Sequence, residues 1–117
     1  DKLYLDGHIV EINNNVIAEP EKVMVECLYK PEKCGGVGEV KKCLRQAWPT
    51  INQKKFEVYM HRFGVKAVFA RCGYLLEEAA LENNLSFVLP KGYTLLNPAK
   101  KAVGKYNHQW RVIINDQ

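Results

Sequence analysis

A chain of 117 residues with 47% hydrophobic and 26% charged content has the size and make-up of one globular domain, which excludes a disordered tail and a fibrous class. No stretch approaches the roughly 18 apolar residues of a membrane helix, and the opening DKLYLDGHIV has no basic leader before an apolar block, so a cytoplasmic domain without a membrane partner is expected. The net charge of +4 is unevenly spread: Lys91, Lys100, Lys101, Lys105 and Arg111 follow one another with no Asp or Glu between the first and the last, which predicts a basic C-terminal surface that could attract phosphates. A first residue of Asp rather than Met suggests a piece of something longer or a processed product.

The expected fold class is α+β in a single domain, with an N-terminal β-hairpin, about four helices in the middle and antiparallel strands at the C-terminus. Residues 2–12 alternate around Asp6-Gly7, the strongest short hairpin signal because both central residues of the favoured turn need positive φ. Asn13, Asn14 and Asn15 then make a polar turn. A first helix starts near Pro20, whose missing N–H has no intrahelical partner at that position, buries Val23, Met24, Cys27 and Leu28, and stops before Pro31. Cys-Gly-Gly at 34–36 lacks the spacing of a phosphate loop and reads as permissive backbone between helices.

A second helix, about Val37 to Trp48, turns Lys41, Lys42 and Arg45 away from an apolar side and ends at Pro49. A third, about Gln53 to Phe63, has Asn52 as its N-cap and Gly64 as its closing αL residue. Val65 to Glu78 is the helix the rest should pack on, because Val65, Val68, Phe69, Cys72, Leu75, Leu76 and Ala79 recur at helical spacing. Gly73 costs that helix roughly 1 kcal/mol relative to alanine, so another element should approach closely there, with Arg71 and Tyr74 holding it or a phosphate. Beyond Leu81 the pattern changes to short β-like runs at LSFVL, YTLL and QWRVII.

Chemistry-bearing constellations are scarce. His8, His61 and His108 fall on three different elements, and neither a metal-binding nor a nucleophile motif is present, so no cofactor or metal is implied. Cysteines 27, 34, 43 and 72 lack paired zinc spacing and read as free thiols, with Cys34 the accessible one. Tyr93, Tyr106 and Trp110 interleave with Lys91, Lys105 and Arg111, a composition suited to stacking bases and holding phosphates. For Trp110 a strand position facing the core is the simpler expectation. A helix-turn-helix built from the second and third helices is conceivable, although both carry stripes that look buried.

EPEKVMVECLYKPEKCGG, FGVKAVFARCGYLLEE and LLNPAKKAVGKYNHQWRVIIN, in that order, resemble the C-terminal domain of AbiEi-type antitoxins, the transcription-regulating partners in type IV toxin–antitoxin systems. Glu21-Lys22, Pro31 and Gly35-Gly36 fit the family's first block; Arg71, Gly73, Tyr74, Leu75, Leu76 and Glu77 fit its second; Pro98, Gly104, Tyr106, Trp110 and Asn115 fit its third. Ala18, Val23, Glu26, Cys72 and Asn97 stand where the pattern has serine, threonine, aspartate, leucine and aspartate.

The resemblance covers nearly the whole of residues 1–117. It implies a domain that follows an N-terminal winged-helix DNA-binding domain, absent from this sequence, in repressors of their own operon. It also implies neutralisation of a nucleotidyltransferase-like toxin, and it brings no catalytic residues. The expected nucleic-acid contacts are Arg71, Lys91, Lys100, Lys101, Lys105, Tyr106 and Arg111, with operator DNA or another nucleic acid as the partner. Alternatives from other classes are a nucleic-acid-processing enzyme or its relic and an oligomerisation module; the oligomeric state is left open.

Overall fold

Four helices take up most of the chain: α1 (Pro20–Tyr29), α2 (Val37–Ala47), α3 (Gln53–Phe63) and α4 (Lys66–Glu78). The computed structural model describes residues 11, 12, 16, 17 and 19–115, and its radius of gyration of 13.4 Å matches the about 13 Å of one compact domain of this length. Local chemistry sets the helix ends. Pro20 opens α1, Asn52 Oδ1 accepts the Lys55 N–H at 3.0 Å to start α3, and Gly64 closes α3 at φ 73°. Short 3-10 turns at Pro31–Cys34 and Trp48–Thr50 make the links on either side of α2, each beginning with or containing a proline. Because α3 packs chiefly against α1, α2 and α3 are not arranged as a helix-turn-helix.

Charged side chains fix α3 on α1 as well. Glu21 is 4% exposed and its Oε2 accepts the Asn52 N–H at 2.8 Å, so a carboxylate on α1 sits at the positive end of α3. At the surface Glu19 binds Lys55 and Tyr59.

In α4 every residue from Val68 to Leu76 is buried. The spacing in the sequence predicts one apolar face, but α4 meets α1 and α2 on one side and a sheet on the other, so Arg71, Gly73 and Tyr74 are enclosed too. The expected close approach at Gly73 is real: a Cβ there would overlap Cε3 and Cζ3 of Trp110. Trp110 lies in the turn between two strands rather than in a strand. Its indole rests on α4, donates Nε1–H to Glu77 and meets Phe87 edge-on at 4.9 Å.

The C-terminal strands are β3 (Thr94–Leu95), β4 (Lys105–Asn107) and β5 (Val112–Ile114), in the order β3-β5-β4. The sheet is mixed, not antiparallel throughout: β4 and β5 form an antiparallel hairpin, while β3 runs parallel to β5. Val112-Ile113-Ile114 is the most apolar of the three runs and takes the central place, hydrogen-bonded to a strand on each side. Two further short strands, β1 (Glu11–Ile12) and β2 (Val16–Ile17), pair antiparallel. The hairpin expected about Asp6-Gly7 lies outside the described residues.

Residues 81–90 have the alternation of a strand but no ladder. Leu81, Leu85, Phe87 and Leu89 pack on the core while Glu82, Asn84, Ser86 and Val88 are exposed. Side chains take the place of a partner strand. Gln53 Oε1 accepts the Asn84 N–H at 3.3 Å, Glu57 Oε1 accepts the Ser86 N–H at 3.1 Å, and His61 Nε2 lies 3.3 Å from Ser86 Oγ. Residues 53, 57 and 61 lie four apart on one face of α3, so this strap is tied along a helix instead of along a sheet.

Candidate nucleic-acid interface

Of the seven residues expected to meet nucleic acid, Arg71 is set apart by burial, being 5% exposed. Its Nε donates to Leu95 O at 2.9 Å, and its Nη1 donates to Leu28 O at 2.9 Å and Tyr29 O at 3.0 Å. Leu28 and Tyr29 end α1, where helical carbonyls have no partner of their own, and a cation there also meets the negative end of the helix dipole. Burial pulls the guanidinium's pKa down, with the field of Glu32 acting the other way. Arg71 is therefore a clamp joining α1, α4 and β3, the first of the two roles its position suggested.

Tyr106 meets Tyr93 on the outer face of the sheet, and Arg111 is bonded to the chain at Lys91, two residues before Tyr93. Val112 belongs to the core and Ile114 packs against it, so the two-residue period turns Ile113 away from α4. The register places Tyr106 and Leu95 beside Ile113, and Tyr93 lies two residues before Leu95. The Tyr93 and Tyr106 rings meet edge-on at 4.8 Å. The Tyr93 hydroxyl bonds His108 Nδ1, and Arg111 Nη1 donates to Lys91 O at 2.6 Å. Tyr93 and Tyr106 remain 40% and 52% exposed, enough to offer ring area to a ligand. Arg111 holds φ 59°, uncommon for a side-chain-bearing residue, at the point where the turn enters β5.

Lys105 does not join this group directly. It precedes Tyr106 on β4 and so points to the opposite face of the edge strand. Lys100 and Lys101 sit in a loop at the far end of β5, about 13 Å from Arg111 at the rise of a strand. Asn115 holds that loop: its Nδ2 donates to Asn97 O at 2.9 Å, Lys101 O at 3.0 Å and Lys100 O at 3.3 Å, and its Oδ1 accepts the Asn97 N–H at 2.8 Å. Asn97 Oδ1 accepts the Ala99 N–H at 2.9 Å, an acceptor role that aspartate would fill equally well. Gly104 completes the arrangement, since a Cβ there would overlap the Ile114 carbonyl.

Tyr93, named in the sequence as a ring suited to stacking but not among the seven expected contacts, belongs to this cluster, and so does His108, for which no such role was expected. The signal was present in the two-residue step from Tyr93 to Leu95, but it has meaning only once β5 is known to lie between β3 and β4. Cys34, expected to be accessible, is 3% exposed against Cys27. Among the described residues no group of three or more His, Cys, Asp or Glu side chains is placed to hold a metal ion, and no helix is long and apolar enough to cross a membrane. Comparison with protein-family models, with curated proteins and with solved structures found no match.

Proposed function

We propose that this chain is a non-enzymatic nucleic-acid-binding module whose contact surface is the outer face of the β3-β5-β4 sheet. The observation that carries this reading is the exposed Tyr93–Tyr106 ring pair set among Lys91, His108 and Arg111, in a segment with no carboxylate from 91 to 111. Aromatic faces stack on bases while neighbouring cations neutralise phosphates. Lys105 on the edge and Lys100 and Lys101 beyond β5 extend the positive surface along the strand direction.

Within that class, the three-block resemblance supports reading the chain as the C-terminal domain of an AbiEi-type antitoxin. In this reading it assists operator binding by a winged-helix domain that precedes it, and it neutralises a nucleotidyltransferase-like toxin. Fluorescence anisotropy with labelled operator duplex and with a single strand of equal length tests the surface. With five lysine and arginine charges engaged on duplex DNA, log K is expected to fall with log salt at a slope of about −4.5, and Tyr106→Ala is expected to weaken binding about tenfold. Binding by neither nucleic acid at low salt would reject the surface. Undiminished toxicity when the chain, joined to its winged helix, is co-expressed with the neighbouring toxin would reject the antitoxin role.

A further inference from the structure

Two of the four cysteines face one another. Cys27 is on the inner side of α1, Cys34 ends the 3-10 turn that follows, and the Cys27 thiol donates to Cys34 Sγ with the sulfurs 2.7 Å apart. Their exposures differ in a way that matters for chemistry. Cys27 is sealed at 0%, whereas Cys34, at 3%, lines a cleft of about 290 Å³ with Glu26, Tyr29, Lys30, Lys33 and Phe63. A small oxidant entering the cleft meets Cys34 first and Cys27 only behind it.

We propose that Cys34 and Cys27 form a reversible dithiol–disulfide pair that reacts with hydroperoxides, Cys34 as the attacking thiolate and Cys27 as the resolving thiol. Cys34 Sγ attacks one peroxide oxygen, the O–O bond breaks, and Cys34 becomes a sulfenic acid as hydroxide or an alkoxide leaves and takes up a proton. Cys27 Sγ then attacks the Cys34 sulfur, the S–O bond breaks and water departs. Two thiols lose two electrons and two protons in all, and hydrogen peroxide becomes two waters. The hydrogen bond from Cys27 lowers the Cys34 pKa against the opposing effects of burial and of Glu26 and Glu32. The same bond, burial and the neighbouring sulfurs keep Cys27 protonated. Cys72 is fully buried, with its thiol's pKa pushed up by that burial, and serves as an internal control.

The reduced chain treated with hydrogen peroxide at neutral pH is expected to lose about 2 Da, reversibly with a dithiol reductant. Trypsin cuts after Lys33 but not between Lys30 and Pro31, so the peptides 23–33 and 34–41 should emerge joined. In Cys27→Ser, dimedone added with the peroxide should label Cys34; in Cys34→Ser, position 27 should stay unlabelled. Stable sulfinic acid at Cys34 in the unsubstituted chain without the joined peptides, joining to Cys43 instead, or no reaction before unfolding would overturn the proposal. The reading on the unsubstituted chain holds even where a variant folds poorly.

Discussion

Replacing Arg71 with alanine removes the donors for three carbonyls at once: Leu28 and Tyr29 at the end of α1 and Leu95 in β3. An acceptor left without a partner away from water costs about 1–3 kcal/mol, in full for the buried Leu28 carbonyl and in part for the half-buried bonds to Tyr29 and Leu95. Removing a buried cation returns part of that, because the desolvation of the charge is no longer incurred. Taken together, Arg71→Ala should destabilise by about 3–5 kcal/mol. For a domain of this length, with about 4 °C per kcal/mol, the melting temperature should fall by roughly 12–20 °C. Arg71→Lys keeps the charge but cannot reproduce the planar fork, so about half that loss is expected. Urea unfolding followed by circular dichroism measures both, with unchanged m-values if the unfolded state is unaffected. An Arg71→Ala protein that melts within about 3 °C of the parent and yet loses nucleic-acid binding would refute the clamp and make Arg71 a ligand contact.

Gly73→Ala gains about 1 kcal/mol of helix propensity but drives Trp110 off Glu77 and Phe87, an overpacking cost of about 1–3 kcal/mol; a net loss near 1 kcal/mol and altered tryptophan emission are expected, and an equal or higher melting temperature with unchanged emission would count against the close approach. Asn115→Asp replaces a donor facing three carbonyls with an acceptor, so stability should fall by about 2–4 kcal/mol, with amide exchange rising at residues 98–104; protection unchanged in that loop would show that Asn115 does not hold it. Lys55, and after it Tyr59, hold the Glu19 carboxyl below its ordinary value, so its contribution is present above the unfolded-state pKa and is lost as pH falls through the lower folded-state value. Glu19→Gln should therefore unfold at lower urea than the parent at neutral pH and converge with it in acid, and a gap that widened in acid would contradict the assignment.

The helices were legible because their signals are local. Pro20, Asn52 and Gly64 act on neighbours a few residues away, and the ends they predict are the ends observed. The approach of a second element to Gly73 was legible for a related reason: a costly residue inside an apolar stripe calls for compensation. The sheet was less so. Strand order depends on which run is paired on both edges, and Val112-Ile113-Ile114 shows its apolarity in the sequence without showing that β3 and β4 flank it.

That missing order also hid the pairing of Tyr93 with Tyr106 and with His108, 13 and 15 residues away. Cys34 was misjudged because two adjacent glycines suggest an open loop, whereas the 3-10 turn folds its thiol inward onto Cys27. LSFVL reads as a β-like run in the sequence, whereas in the structure it pairs with no strand. Nothing in residues 85–89 announces that Gln53, Glu57 and His61 would take the place of a β partner.

The strap over α3 behaves unlike an ordinary connection between a helix and a strand. Connecting segments usually tolerate a residue gained or lost, but here each anchor is fixed by parity. One inserted residue between Glu82 and Ser86 would turn Phe87 and Leu89 outward and slide Ser86 off Glu57 and His61. Two inserted residues would preserve the phase and cost mainly slack. In chains that share this architecture, length changes in the strap should therefore come in even steps, a signature that an alignment of such chains could reveal before any of them is crystallised.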